Sequence, residues 1–326
     1  FLSDNFPPEV NAPATRTYEH CKEWVSQGDE VKVITCFPNF PSGKVFGGYK
    51  NKLFQKEIRE GITVYRVWSF ITANKGLVKR IIDYFSFSVS AFLLGLFIKT
   101  DIIVATSPQF FTALAGRKLA FWKRKPWVME VRDLWPESIK GVGAMENNAF
   151  IKYLEWEELR CYRKANGIVT VTESFKKFIN QKGISPEKIK VVKNGIYPSH
   201  YIPKEKNYEI LETLGLSDKF IIGYIGTHGM AHKLDFIVQA ANKINIVNIH
   251  FLFIGDGAEK QKVMNLANNR NTKNVTFLDP VPKEKILDYI ASIDLALVPL
   301  KKSDLFKTVI PSKIFENAAM LKPILL

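Results

Sequence analysis

A chain of 326 residues is longer than one hydrophobic core usually serves, so two domains are expected. Its three cysteines, Cys21, Cys36 and Cys161, are too few and too scattered for a disulfide framework and suit a reducing cytosol; no signal peptide is visible. The formal charge of +14 is lopsided, with net +11 on residues 1–195 and net +3 on 196–326. Such an excess suits a phosphorylated substrate or an anionic membrane face; without a helix-turn-helix, zinc-finger or aromatic nucleic-acid signature, no nucleic acid partner is expected.

Phe1-Leu2-Ser3 reads as the tail of a first strand, and a Pro-rich loop, Phe6 to Pro13, follows where a dinucleotide fold would carry glycines. The absence of G-x-G-x-x-G argues against a dinucleotide oxidoreductase, although Asn11 and the amides near Ala12 and Ala14 could approach a phosphate. Apolar spacing predicts a helix over 14–25 ending at Gly28, and strands over 30–35 and 62–67. Between the strands, residues 37–54 form a long loop of the kind that borders a binding site. Residues 81–98 carry a single charge, Asp83, among Tyr84, Phe85, Phe87, Phe92 and Phe97. Three readings stay open for them: a helix packed on the sheet, a helix lying in a membrane surface, or a span. Lys79, Arg80, Lys99 and the cluster Lys123-Arg124-Lys125 beside Phe121, Trp122 and Trp127 push toward membrane contact.

Strands are predicted at 101–105 and 128–131. Arg132 and Asp133 leave the carboxyl end of the second, the edge where open α/β sheets bind ligands, though an ordinary ion pair is the alternative. A helix over 153–163, a strand at 167–172, a helix over 173–180 and a strand at 190–192 lead to the Asn194-Gly195 turn, which closes a first domain of residues 1–195. The second domain, 196–326, opens with a helix over 205–214 and a strand at 220–226. The turn Gly226-Thr227-His228-Gly229 offers backbone amides to a phosphate. His228 and His232 have metal-like spacing, but Gly229 between them and the lack of a third ligand predict no metal site. Strands at 249–254 and 275–278 follow, then a helix, then the continuous apolar run 294–299, stopped by Pro299. After a polar stretch, Pro311 suits the first helical position. That would leave the amides of Ser312, Lys313 and Ile314, a helix-end charge of ~+0.5 and the Lys313 ammonium facing a phosphate, with Glu316 one turn on for a ribose diol. An ordinary surface helix with a proline start is the bland alternative.

The segment Pro311-Ser312-Lys313-Ile314-Phe315-Glu316, with Ala318-Ala319 and Lys322-Pro323, resembles the donor-binding segment of retaining glycosyltransferases of family 4. Asp4-Asn5-Phe6-Pro7-Pro8-Glu9, Thr106-Ser107-Pro108, Glu130 to Pro136 and Val192 to Ile196 are similar, in the same order, to its bacterial surface-polysaccharide branch, typified by fucosaminyltransferase-like enzymes. The resemblance covers nearly the whole chain. It implies an α/β GT-B fold, two Rossmann-like domains facing across a cleft: residues 1–195 bind the acceptor and 196–326 the nucleotide sugar, the latter domain incomplete. It implies transfer of a sugar, an amino sugar by the branch, from a nucleotide diphosphate, UDP above all, to a lipid-linked or saccharide acceptor at the cytoplasmic face of the membrane, with the protein peripheral.

On this resemblance Arg132, Asp133 and Lys313 are the catalytic candidates. Asn11, Gly226, Thr227, His228, His232, Ile310, Ser312, Lys313, Ile314 and Glu316 bind the donor, Gly255 and Val281 edge the nucleobase, and Pro8, Glu9, Ser107 and Pro108 line the acceptor side. No cofactor and no metal are implied, because fixed cations carry the diphosphate. Many relatives have histidine at Arg132, arginine and lysine where Thr227 and His232 stand, and a second glutamate at Thr308. A nucleotide-sugar epimerase of the same fold and a non-catalytic polyanion binder are the alternatives.

Overall fold

The computed structural model describes residues 1–72, 77–107, 109–141, 148–304 and 306–326. The chain forms two compact units, Phe1–Lys193 and Asn194–Leu326.

In the first unit the strands are β1 (Lys32–Cys36), β2 (Phe54–Arg59), β3 (Ile62–Val67), β4 (Ile103–Ser107), β5 (Trp127–Val131), β6 (Gly167–Thr170) and β7 (Ile189–Val191). β2 and β3 form a hairpin whose two-residue turn, Glu60-Gly61, has positive φ at both positions, 48° and 81°. β1 runs parallel to β3, and β4 to β7 form a parallel set in chain order. Leu2 joins the sets: its backbone bridges Ile34 of β1 and Ala105 of β4, so the start of the chain lies along the middle of the sheet. Buried Val33, Val64, Ala105 and Met129 give these strands the apolar character that helices on both faces require.

Those helices are α1 (Ala12–Ser26), α2 (Leu77–Gly95), α3 (Phe110–Lys123), the short α4 (Glu137–Gly141), α5 (Ala149–Lys164) and α6 (Glu173–Gln181). Side-chain caps set several of their starts: Asn11 accepts from the Ala14 amide, Asn148 from Ile151 and Thr172 from Phe175. α2 begins four residues before its expected start and ends at Gly95, three before its expected end. A Cβ at Gly95 would stand 2.6 Å from a Leu119 methyl, so this turn of α2 lies hard against α3. α2 buries Phe87 and Ala91 but exposes Val78, Ile82, Phe85, Val89 and Leu93 at helical spacing. Among the described residues no helix is long and apolar enough to cross a membrane, which removes the span from the three readings of this segment.

The second unit is one parallel sheet in the order β10-β9-β8-β11-β12, from β8 (Phe220–Ile225), β9 (Ile249–Ile254), β10 (Val275–Leu278), β11 (Leu295–Leu297) and β12 (Ile324–Leu325). Its helices are α7 (Tyr208–Thr213), α8 (Leu234–Ala241), α9 (Lys260–Asn269), α10 (Ile286–Ser292) and α11 (Ser312–Ala319). Alternate residues of β8 serve opposite faces. Ile222 and Tyr224 pack with Leu234 and Val238 of α8 and Val263 of α9, whereas Ile221 packs with Leu211 of α7 and Ile293. Three boundaries differ from expectation. α7 starts later because Asn207 caps it at Ile210, and β11 keeps three residues of the expected run. Pro311 is extended (φ −62°, ψ 138°) and stands just outside α11 at the capping position, not inside as the first helical residue.

Candidate functional site

In the second unit the carboxyl ends of β8 and β9 meet backbone to backbone. Gly226 (φ 139°) donates its amide to Ile254, and a Cβ on Gly255 (φ 139°) would stand 2.0 Å from the Gly226 carbonyl oxygen. Two residues on, His228 donates its amide to the Asp256 carbonyl at 2.8 Å, and a Cβ on Gly257 would stand 2.5 Å from the His228 oxygen. No residue larger than glycine fits at 255 or 257 while this packing holds. The cost falls on the expected anion grip: the amides of Gly226 and His228 are bonded within the protein and do not point at a ligand.

α11 brings Lys313 to this turn. A Cβ on Gly226 would meet Lys313 Cε at 2.3 Å and Nζ at 2.5 Å, so the lysine lies along the bare face of the glycine. Its ammonium donates to the Tyr224 hydroxyl at 2.9 Å and sits 4.2 Å from the centre of that ring. Burial lowers the Lys313 pKa to about 8, with Glu316 pulling the other way, so the full positive charge expected of it is only partly held near that pH. His228 is wholly buried, and neither ring nitrogen has a hydrogen-bond partner among the described residues. His232 shares its Nδ1 with the Pro299 carbonyl at 3.3 Å. Burial, reinforced by Lys260 and Lys313 at His228 and by Lys313 at His232, brings both histidines down to about 4, so both are neutral at physiological pH. Among the described residues no His, Cys, Asp and Glu cluster is arranged to hold a metal ion.

At the start of α11 the Ile314 amide turns back to the Pro311 carbonyl at 3.1 Å. This is a correction to the expected trio, since among the described residues only the Ser312 and Lys313 amides of that first turn make no backbone hydrogen bond. The structure thus gathers Gly226, Thr227, His228, His232, Gly255 and Lys313 around Tyr224. Ile310, 39% exposed, and half-buried Ser312 flank the helix start, and Glu316 is half-buried one turn along. The Val281 side chain packs against the apolar cluster of Leu211, Ile221 and Ile293.

In the first unit the expected residues lie at the carboxyl edge of the sheet. Arg132, just past β5, is held to the Pro13 carbonyl at 3.5 Å, and burial lowers its pKa to about 10 against the pull of Glu130. Glu130 itself is buried and paired with Arg16 at 3.1 Å, with His20 Nδ1 3.9 Å away. Asp133 is not a free carboxylate: burial raises its pKa, while Ser138 and the Leu134 amide bond its oxygens. Its carbonyl accepts from the buried Ser107 hydroxyl at 3.2 Å. Glu9 is 2% exposed and accepts from the amides of Asn39 and Phe40, both at 2.8 Å, so it anchors the 37–53 loop rather than lining a surface. Asn11 spends its oxygen on the Ala14 amide, which occupies that amide, whereas the Asn11 Nδ2, the atom able to donate to a phosphate, is buried without a hydrogen-bond partner among the described residues. Pro8 follows a cis Pro7–Pro8 bond, and Pro108 lies outside the described residues.

Three contributors escaped the sequence reading. Arg16 and Tyr224 carried no signal beyond helix and strand spacing, whereas Glu130, a carboxylate inside an apolar strand, implied a buried cation to pair with it.

Residues 13–200 match the family model Glycosyltransferase Family 4, and 219–326 match Glycosyl transferases group 1. The chain belongs to glycosyltransferase family 4 and is a glycosyltransferase. It is 24% identical over 320 residues to WcaI of Escherichia coli (strain K12), described as a colanic acid biosynthesis glycosyl transferase, covering 95% of this chain and 78% of that protein. To TuaH of Bacillus subtilis (strain 168), described as a teichuronic acid biosynthesis glycosyltransferase, it is 25% identical over 198 residues, covering 60% of this chain and 49% of that one. Among solved structures it resembles Anabaena HepE in complex with UDP and glucose, with TM-score 0.71 at 14% identity over 99% of this chain and 78% of that one. Sucrose-phosphate synthase from Thermosynechococcus elongatus gives TM-score 0.76 at 12% identity over 99% and 79%. The fold class is therefore α/β, of the GT-B kind.

Proposed function

We propose that the chain moves a sugar, an amino sugar by its branch resemblance, from a UDP-type nucleotide diphosphate to a lipid-linked or saccharide acceptor in bacterial surface-polysaccharide synthesis, retaining anomeric configuration. The observation that carries the donor side is the Lys313 ammonium laid along Gly226 where β8 ends, beside the start of α11. A leaving diphosphate gains negative charge as its bond to the sugar breaks, and a cation set in place beforehand stabilises that state without reorganising. Serine and lysine amides at the helix start add to it. The acceptor oxygen forms the new bond to the anomeric carbon on the face the diphosphate leaves, and its proton passes to a phosphate oxygen. No protein nucleophile is needed. A fixed cation takes the place of a metal, so turnover should survive EDTA.

Support for the pathway comes from the relatives named for colanic and teichuronic acid synthesis, and support for UDP from the HepE complex. The apolar stripe of α2 among basic residues supports a peripheral place on the cytoplasmic face of the membrane. Calorimetry of the full chain with UDP, GDP and dTDP, then turnover with and without a lipid-linked sugar, tests this reading. Acceptor-dependent UDP release upholds it, interconversion of donor sugars would make the protein an epimerase, and polyanion binding with no nucleotide affinity would make it a binder.

A further inference from the structure

Tyr224 touches both elements of the donor-side site, and nothing in its strand sequence marks it for that role. It is fully buried inside β8, ring to ring with His228 (5.6 Å), His232 (5.7 Å) and Phe253 (6.4 Å). A phenol has one proton to give and lone pairs to accept with. Here the proton is committed, because the hydroxyl donates to the Thr227 carbonyl at 2.5 Å. Lys313 must then be the donor in its 2.9 Å bond to the same oxygen, and the ring face below holds the ammonium electrostatically. One hydroxyl thus ties a carbonyl of the β8 turn to a cation from a helix 89 residues further on.

We propose that Tyr224 is the positioning residue that presents Lys313 to the anionic group bound at the Gly226-Thr227 turn, holding the ammonium in place before a ligand arrives. This rests on the donor-site reading above. Preset placement matters because a flexible lysine would otherwise lose side-chain entropy at the moment of binding. The groups facing the ammonium are Tyr224 from β8, Glu316 from its own helix, and His228 and His232 beyond the turn. Both histidines titrate near 4, so a pH response between 7 and 9 in this site belongs to Lys313, which titrates at about 8. An anion binds the charged form, and affinity should fall as pH rises through that value. Removing the phenol oxygen takes an acceptor from the ammonium, which moves the midpoint to lower pH.

The test is calorimetry of UDP binding to the full chain from pH 6.5 to 9.5, for wild type, Tyr224→Phe, Lys313→Ala and the double variant. Tyr224→Phe should weaken UDP about 10-fold, as loss of a hydrogen bond to a charged group does, and lower the pH midpoint. In the Lys313→Ala background the same change should cost less than about 2-fold, because the partner it serves is gone. Equal weakening in both backgrounds, or an unmoved midpoint, would show a merely structural tyrosine and overturn the proposal. Should Tyr224→Phe fail to fold, fluorotyrosine at 224 keeps the shape and weakens the acceptor, and an unmoved midpoint there is equally fatal. Binding of none of UDP, GDP and dTDP by wild type overturns the donor-site reading together with this proposal. Wild-type binding that depends on Lys313 but not on Tyr224 overturns this proposal alone.

Discussion

Lys313 combines two demands that oppose each other, burial and positive charge. Its pKa of about 8 lies below the ordinary 10.5, so between those values the unfolded chain holds a proton that the folded chain has given up. Stability of the ligand-free protein therefore rises as pH climbs through that window, and below pH 8 the buried ammonium is a standing penalty. Lys313→Met should remove it, raising the melting temperature at pH 7 by a few degrees, with a smaller gain at pH 9.5. Turnover should fall ~100-fold, more in kcat than in KM, as expected for a charge contact that strengthens in the transition state. Thermal melts at the two pH values and steady-state rates check both halves; a destabilised variant would mean the lysine is structural. Glu316→Gln should cost about 1–3 kcal/mol of UDP affinity if it holds the ribose, with little change in melting temperature. Unchanged affinity removes Glu316 from the site. The place of Lys313 was legible, since proline, serine and lysine after an apolar strand specify a helix start. Its partner was not: Tyr224 within Phe-Ile-Ile-Gly-Tyr-Ile reads as one more core aromatic, and only the fold brings α11 back over β8.

Elements show the same division between what local pattern dictates and what packing decides. The strands were legible as apolar runs, and Asn and Thr caps mark several helix starts, because both signals act over a few residues. Which amides stay free was not, since it depends on neighbours: Gly226 and His228 give theirs to β9 and its turn, and Ile314 gives its own to Pro311. The contact of α3 with β4 is also close. A Cβ on Gly116 would fall 2.4 Å from the Ala105 Cβ, so the helix sits on the strand at a distance only glycine permits. Gly116→Ala gains helix propensity of up to about 1 kcal/mol, yet the methyl must push helix and sheet apart, an overpacking cost of about 1–3 kcal/mol. The expected outcome is a net loss of stability in urea unfolding, and a gain would mean that α3 shifts without cost. Because Thr106 and Ser107 lie at the carboxyl end of the same strand, the variant should also impair turnover.

At the scale of the whole molecule the charge is unequally placed, net +11 on residues 1–195 against +3 on the rest, and the basic part carries a helix with an open apolar stripe. Val78, Ile82, Phe85, Val89 and Leu93 form an outward stripe on α2, and Phe97, Phe121 and Trp122 are exposed as well. A folded chain has reason to leave such a stripe open when something apolar covers it in use. Lys79, Lys99 and Arg124 are exposed too, which suits an anionic bilayer surface better than a neutral partner. Charge and grease predict different salt responses. Attraction between exposed charges is screened within ~10 Å at 0.1 M salt and within a few ångströms at molar salt, whereas burial of apolar side chains is not weakened by screening. Vesicles with anionic lipid should therefore carry the full chain down in co-sedimentation at low salt and release most of it above ~0.5 M, and neutral vesicles should hold little. Phe85→Ser with Leu93→Ser should lower binding at every salt concentration without altering UDP affinity, because α2 belongs to the first unit and the Lys313 cluster to the second. Retention that ignores salt but vanishes in the double serine variant would make α2 an inserted helix and the basic residues bystanders. Retention on neither kind of vesicle would remove the membrane from the proposal.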